Sequence, residues 1–323
     1  MREIGGYIEF EQLRNNMLYE KGILLNSARD CFLYLCKARG AKKIWLPYFL
    51  CDTIYKLCRK QNIQFSFYHI DKNWLPVDVI LLPDEYIYIV NFYGQLDDVA
   101  IHFLKDKYVN IIVDNTQAYF DRPIEGIDTL YSCRKYFGVP DGGVLFTDSY
   151  LDEELEQEES FRRMNFLLGR YEKNASEFYS EYVANNEYFD IQPMKRMSKL
   201  TKNLLHGIDY KFVQKRRTEN FNYLCETFCD INRLNLRSPS GAFAYPLMLQ
   251  NVSGIRKQLI EQKIYIPVLW PNVLDECDKD SWEYKLAADI LPLPIDQRYN
   301  LDDMYEMSKI IRFLLLENNK IRD

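Results

Sequence analysis

Long apolar runs, paired cysteines, histidine clusters and basic blocks are all missing from this chain of 323 residues. No run approaches the roughly 18 consecutive apolar residues of a membrane-spanning helix, so no membrane span or membrane partner is expected. The opening residues MREIGGYIEFEQLR hold no apolar core of the kind a secretory signal needs. Cys31, Cys36, Cys51, Cys58, Cys133, Cys225, Cys229 and Cys277 are scattered, and none forms a Cys-x-x-Cys pair. His69, His102 and His206 offer no ligand spacing beside them, so the pattern predicts free thiols, no metal ion and a reducing, cytoplasmic setting. Only 13 Gly and 12 Pro occur, which argues against disordered and fibrous classes. The formal net charge is −6, and the basic triplet Lys215-Arg216-Arg217 sits in a helical pattern, so nothing suggests a nucleic-acid footprint.

What is present is apolar and aromatic. Hydrophobic residues make up 47% and aromatic residues 15% of the chain, enough for a substantial core in one large and one smaller domain. The first two thirds alternate helical and strand-like patterns. Ser27 to Arg39 has helical spacing with Ser27 as N-cap, and Cys51 to Gln61 is again helix-like. KKIWLP, QFSFYHI, EYIYIVNFYG, YVNIIVDN and GGVLFTD are short, β-branched or aromatic, and bounded by turn residues. Strands separated by helical crossovers predict an α/β fold, a mostly parallel mixed sheet covered by helices on both faces. The segment from Glu153 to Tyr210 reads as polar and mostly helical, and Met197 to Phe228 as one long helical stretch. GAFAYPLML and KIYIPVLWP then read as strands, with VSGIRKQLIEQ and LDDMYEMSKIIRFLLLE as helices of a small C-terminal domain. The expected division is 1–210 and 211–323.

In such sheets ligands gather beyond the carboxyl ends of the strands, which directs attention to the residues that follow them. YVNIIVDNTQAYF ends a strand in Asp114, with Gln117 three residues on; an isolated Asp-x-x-Gln is more often just a capped turn. TLYSCRKYFGVPDGGVLF follows, with Ser132 and Lys135 three apart and Gly138, Pro140, Gly142 and Gly143 shaping a tight loop. A lone lysine in such a turn is usually a surface residue. Together, however, Asp114, Lys135, Ser132 and the helix start at Ser27 and Ala28 meet the needs of pyridoxal phosphate. These are an amine for a Schiff base, an acid for the pyridine nitrogen, a hydroxyl, and helix-end amides for a phosphate.

The chain resembles the DegT-type family of pyridoxal-phosphate-dependent sugar aminotransferases. IGGYIEF and LLNSARDCF look like its opening strand and phosphate-holding helix, IWLPYFLCDTI its next strand and loop, and VNFYGQLDD its Tyr-Gly-Gln segment. VDNTQAYF is similar to its Asp-x-x-Gln element, YSCRKYFGVPDGG to its Schiff-base loop, and ADILPLPIDQRYNLDDM to the segment before its last helix. The resemblance implies a fold type I architecture and transfer of an amino group from an amino acid, glutamate in most members, to a nucleotide-linked keto-sugar for polysaccharide precursors. It implies Lys135 as the Schiff-base lysine, Asp114 at the pyridinium nitrogen, Gln117 near the ring hydroxyl, and Ser27, Ala28 and Ser132 at the phosphate. The position that aligns with the family's ring-stacking aromatic is Cys51, leaving Tyr48, Phe49 or Tyr93 for that place. Arg196 and Ser198, in PMKRMSKL, align with a segment that crosses to a partner chain, so a homodimer is expected. Trp270 and Arg298 are candidate substrate contacts from the small domain, with core packing and an ion pair as their plainer roles. Two alternatives stay open: another pyridoxal-phosphate reaction, such as a lyase or dehydratase, and a non-catalytic sugar-binding relative. The family's sugar dehydratases carry histidine where Lys135 stands, which argues against that branch.

Overall fold

The computed structural model of the chain describes residues 4–250 and 252–320. Its first part lays down β1 (Ile23–Leu25), α1 (Ala28–Arg39), β2 (Lys43–Pro47), α2 (Asp52–Lys60), β3 (Gln64–Ile70) and β4 (Pro76–Val77). There follow β5 (Glu85–Val90), α3 (Asp98–Tyr108), β6 (Ile111–Asp114), β7 (Asp128–Ser132) and β8 (Gly143–Phe146). Next come α4 (Asn165–Glu172), α5 (Tyr179–Ile191), α6 (Lys199–Leu205) and α7 (Tyr210–Thr227). The chain closes with β9 (Ala244–Met248), α8 (Ser253–Glu261), α9 (Asn272–Glu276), α10 (Trp282–Asp289), β10 (Ile290–Pro294) and α11 (Leu301–Lys320).

Eight strands form one sheet in the order β1-β8-β7-β6-β5-β2-β3-β4. The five central strands, β3, β2, β5, β6 and β7, run parallel, whereas β8 is antiparallel to both β7 and β1. This is the expected α/β architecture. β6 (IIVD) is buried at every position, as a central parallel strand covered on both faces must be. The register sets Val90, Asp114 and Leu130 side by side, so β5, β6 and β7 present their carboxyl ends together. α1 starts at Ser27, whose hydroxyl accepts from the Asp30 amide, and stops at Gly40 in the left-handed region.

The C-terminal part holds the two-stranded sheet of β9 and β10 beneath α7, α8 and α11, with a core of its own around Phe221, Leu247, Leu291 and Ile311. The segment 270–290 packs elsewhere: Trp270, Val273, Leu286 and Ile290 belong to the core of the large sheet.

Three expectations of local structure need correction. KIYIPVLWP forms no strand, because Lys263 and Trp270 turn into the left-handed region at its ends and Pro267 has no amide for a ladder. β9 pairs instead with ILPLP of β10, in register Pro246 to Pro292. IGGYIEF is not a strand either: Gly5 and Gly6 take positive φ, and Ile4, Tyr7 and Ile8 are almost fully exposed. The stretch from Met197 to Phe228 is two helices, because after the turn at Gly207 Asp209 caps a fresh start at Tyr210, its side chain accepting from the Phe212 amide.

Candidate active site

Asp114 closes β6 and is buried, with its carboxylate fixed from two sides. The Tyr88 hydroxyl donates to Oδ2 at 2.7 Å and the Thr116 amide to Oδ1 at 2.7 Å. Tyr88 stands on the neighbouring strand β5; burial first, then the Asp114 charge, raises its pKa well above the usual phenol range, so it stays a donor. Lys135 ends the 3-10 turn 133–135 that follows β7. Its Nζ donates to the Thr116 hydroxyl at 2.9 Å, and its amine pKa is pushed below the usual lysine value. Desolvation is the leading cause, opposed by Asp114 and Cys51 and aided by Arg134. By area Lys135 is exposed, yet the protein packed around it still withholds much of the water an ammonium needs. A lysine in this state is a usable amine nucleophile.

The far side of the site is built from the start of α1. Gly143 lies so close that a Cβ on it would stand 2.4 Å from the Ser27 carbonyl oxygen and 2.7 Å from the Ala28 nitrogen. Glycine there is what brings β8 onto α1. Ser132 pairs with Gly143 across β7 and β8, and the Gly142 amide donates to the Asn26 carbonyl at 2.7 Å, so the Lys135 turn is stitched to the helix start. The Ser27 hydroxyl is occupied: it accepts from the Asp30 amide and donates to the Asp30 carboxylate. The amides of Ala28 and Arg29, in the first turn, have no carbonyl of the same helix to donate to. Burial raises the pKa of Asp30 to about 6, against the pull of Ser27 and Arg29.

A buried arginine ties this turn to the C-terminal part. Arg217 donates to the Ala242 and Phe243 carbonyls at 3.1 and 3.2 Å and to Gln297 Oε1 at 3.0 Å, and its guanidinium lies 4.4 Å from the Tyr136 ring. Gln297 in turn donates to the Tyr136 carbonyl at 2.8 Å, next to Lys135. The Phe243 ring lies 5.8 Å from the Lys135 amine.

The structure therefore brings Asp114, Lys135, Ser132, Ser27 and Ala28 together beside the carboxyl ends of β6 and β7. The other candidates are placed differently. Gln117 is buried and accepts from the Tyr93 amide at 2.8 Å, fixing the left-handed turn at Tyr93. Phe49 packs edge-on against Trp270 at 4.4 Å and beside Phe92, and Tyr93 is fully buried. Tyr48 stacks on Phe67 and leans on His69 at the β3 side of the sheet. All three rings are thus engaged in packing, while Cys51 is the N-cap of α2. Trp270 lies in the core, and Arg298 is held bidentately by Asp296 at 2.6 and 2.8 Å. Arg196 is exposed beside the edge strand β1, where its backbone bridges Leu25 and Gln157. Asp141 fixes the next residues by accepting from the Ser198 amide at 2.8 Å and the Ser198 hydroxyl at 2.7 Å.

Thr116, Tyr88, Phe243 and Arg217 escaped the sequence reading. Thr116 sits inside the quoted Asp-x-x-Gln element and could have been found there. The other three come from distant segments, and no spacing links them to Lys135.

The donor set fits pyridoxal phosphate. A desolvated amine, a buried carboxylate with both oxygens already oriented, and a glycine-made approach to helix-start amides stand around one site. Among the described residues, no group of three His, Cys, Asp or Glu side chains could hold a metal ion, and no helix is long and apolar enough to cross a membrane.

No protein-family model and no curated protein matches the chain. Solved structures do. A DegT DnrJ EryC1 StrS aminotransferase from Brucella abortus is similar at 14% identity, covering 90% of this chain and 85% of that one, with a TM-score of 0.60. NtdA from Bacillus subtilis with bound cofactor PMP gives 14% identity, 90% and 72% coverage, and a TM-score of 0.64. PseC of Helicobacter pylori, an aminotransferase involved in the biosynthesis of pseudoaminic acid, gives 15% identity, 94% and 92% coverage, and 0.59. At these identities the likeness is one of fold: the chain has the fold of these aminotransferases over nearly its whole length.

Proposed function

We propose that this chain is a pyridoxal-phosphate-dependent aminotransferase that moves an amino group from an amino acid, glutamate in the first instance, to a nucleotide-linked keto-sugar in polysaccharide precursor synthesis. The observation that carries the reading is the meeting of Lys135, Asp114 and the start of α1 at the carboxyl ends of adjacent strands. The solved structures of like fold, several of them sugar aminotransferases, support it.

Bound pyridoxal phosphate supplies an electron sink that lets nitrogen leave one carbon and join another. Around it the chain's own residues have separate tasks. The Lys135 amine, kept partly desolvated, holds the cofactor and carries a proton at Nζ; the Thr116 hydroxyl orients it. Asp114 offers a carboxylate to a protonated ring nitrogen, and Tyr88 and the Thr116 amide keep that carboxylate from turning away. Ser132 and the amides of Ala28 and Arg29 would hold the phosphate. The Phe243 ring stands beside the Lys135 amine, 5.8 Å away. In balance, the amino acid is oxidised by two electrons and takes up a water oxygen to leave as its 2-oxo acid, while the keto-sugar is reduced by two electrons, gains the nitrogen and returns its oxygen as water, so no net water is consumed or released.

The division near residue 210, a homodimer and a cytoplasmic setting belong to the same reading. Ile4, Tyr7, Ile8 and Phe10, exposed on an arm without a strand, are apolar surface that a second copy would cover. The test is a half-reaction. Glutamate added to the yellow, cofactor-loaded protein should bleach it and release one equivalent of 2-oxoglutarate. A Lys135→Ala protein that keeps full transaminase activity would contradict the reading.

A further inference from the structure

Arg134, between Cys133 and Lys135, is the one arginine of a cluster of three that no carboxylate pairs with among the described residues. Arg29 pairs with Asp190, and Arg163 with Glu158 at 3.2 Å. Arg134 donates only to the neutral Asn186 side chain and lies 4.7 Å from the Phe189 ring. Burial, joined by the like charges of Arg29 and Arg163 and opposed by Tyr182 and Asp141, lowers its pKa to about 10.

The nearby acids are all committed elsewhere. Asp30 is taken by Ser27, Asp141 by Ser198 and Thr201, and Asp190 by Arg29. Glu158 accepts from Asn26, Tyr188 and Arg163. A largely desolvated guanidinium without an anion is costly, and its forked donors match phosphate oxygens. Its place in the fold supplies the rest. The turn 133–135 is stitched to α1 through Gly142 and Gly143, which sets the backbone of Arg134 next to the helix start and to Ser132, where amides favour an anion.

We propose that Arg134 is a phosphate-binding residue, seating a phosphate monoester or diphosphate between its guanidinium and the first amides of α1. The proposal rests on the cofactor reading for its first ligand, the phosphate of pyridoxal phosphate. The diphosphate of a nucleotide-linked substrate is the second source of the same chemistry.

The test compares pyridoxal phosphate with pyridoxal, which lacks the phosphate, by absorbance titration. Arg134→Gln should weaken pyridoxal phosphate binding about 10- to 100-fold, as expected for a lost hydrogen bond to a charged group, and leave pyridoxal unchanged. Arg134→Lys should recover part of the loss. Asn186→Ala, which removes the guanidinium's protein anchor and keeps the charge, should preserve the preference for the phosphorylated form. Equal weakening of both ligands by Arg134→Gln, or of neither, would overturn the proposal. Thermal unfolding with inorganic phosphate separates this from the cofactor reading. If the wild-type chain takes up neither pyridoxal form, the cofactor reading falls; phosphate stabilisation lost in Arg134→Gln would still sustain the site, and its absence in the wild type would overturn it. Stabilisation by inorganic phosphate that disappears on cofactor loading assigns the seat to the cofactor. Arg134-dependent stabilisation by uridine diphosphate that persists in the loaded protein assigns it to the substrate.

Discussion

The two ends of the site are built to different degrees of completion. At the Lys135 end the polar groups already have protein partners: Tyr88 and the Thr116 amide on Asp114, and the Thr116 hydroxyl on Lys135. At the α1 end the Ser27 hydroxyl is spent on Asp30, while Arg134 has no counter-charge and the first amides of the helix stand open. Fixed dipoles belong where charge must be held in one place during a reaction, because they need no reorganisation at that moment. An uncompensated positive end belongs where a ligand brings its own negative charge. The first end can therefore be described from the protein alone, and the second is complete only with an anion in it.

Substitutions at each end should break this contrast in different ways. The largest effect is expected at the completed end. Asp114→Asn keeps the shape and removes the charge proposed to hold a ring proton, so transamination should fall on the order of 10- to 100-fold or more in kcat, while cofactor uptake changes less. Unchanged kcat would remove Asp114 from the mechanism. At the other end, Gly143→Ala forces backbone atoms of Ser27 and Ala28 away from a Cβ at 2.4 and 2.7 Å. It should lower the unfolding free energy by about 1–3 kcal/mol and weaken pyridoxal phosphate more than pyridoxal, as urea melts and the paired titration would reveal. An unaffected variant would mean that β8 and α1 need not touch.

The smallest effect is on pH dependence. Asp30 has its pKa raised by burial to about 6, above the ordinary carboxylate value. A raised carboxyl pKa means that the folded state binds the proton more tightly than the unfolded chain does. Its contribution is therefore fully present below about pH 4 and is lost as pH rises through about 6, on the order of 3 kcal/mol in all. Asp121 shares the direction and the window, so the informative quantity is the difference between wild type and Asp30→Asn in urea stability from pH 4 to 7. Parallel curves would show that Asp30 titrates normally.

Much of the fold was legible because its strands are short, buried and bounded by turn residues; QFSFYHI is β3 residue for residue. The failures share a cause. KIYIPVLWP has strand composition, but pairing is decided by a partner 40-odd positions away from β9, in β10, and by two left-handed turns that composition does not report. At the site, Asp114, Ser132 and Lys135 could be found because Asp114 and Ser132 end strands and Lys135 lies in the turn right after one. Ser27 was found as a cap, and capping is what now occupies its hydroxyl. Phe243 and Arg217 were invisible because their place beside the Lys135 turn depends on how the C-terminal part folds back onto it. The three candidate stacking rings carried the right chemistry, but which neighbours they pack on is a property of tertiary packing alone.

The most direct test of the central claim is borohydride reduction of the chain saturated with pyridoxal phosphate, followed by peptide mapping. The account predicts one cofactor per chain, fixed on the peptide that carries Lys135, and none fixed in Lys135→Ala. Cofactor fixed only on other lysines, or none at all on the wild-type chain, would contradict it.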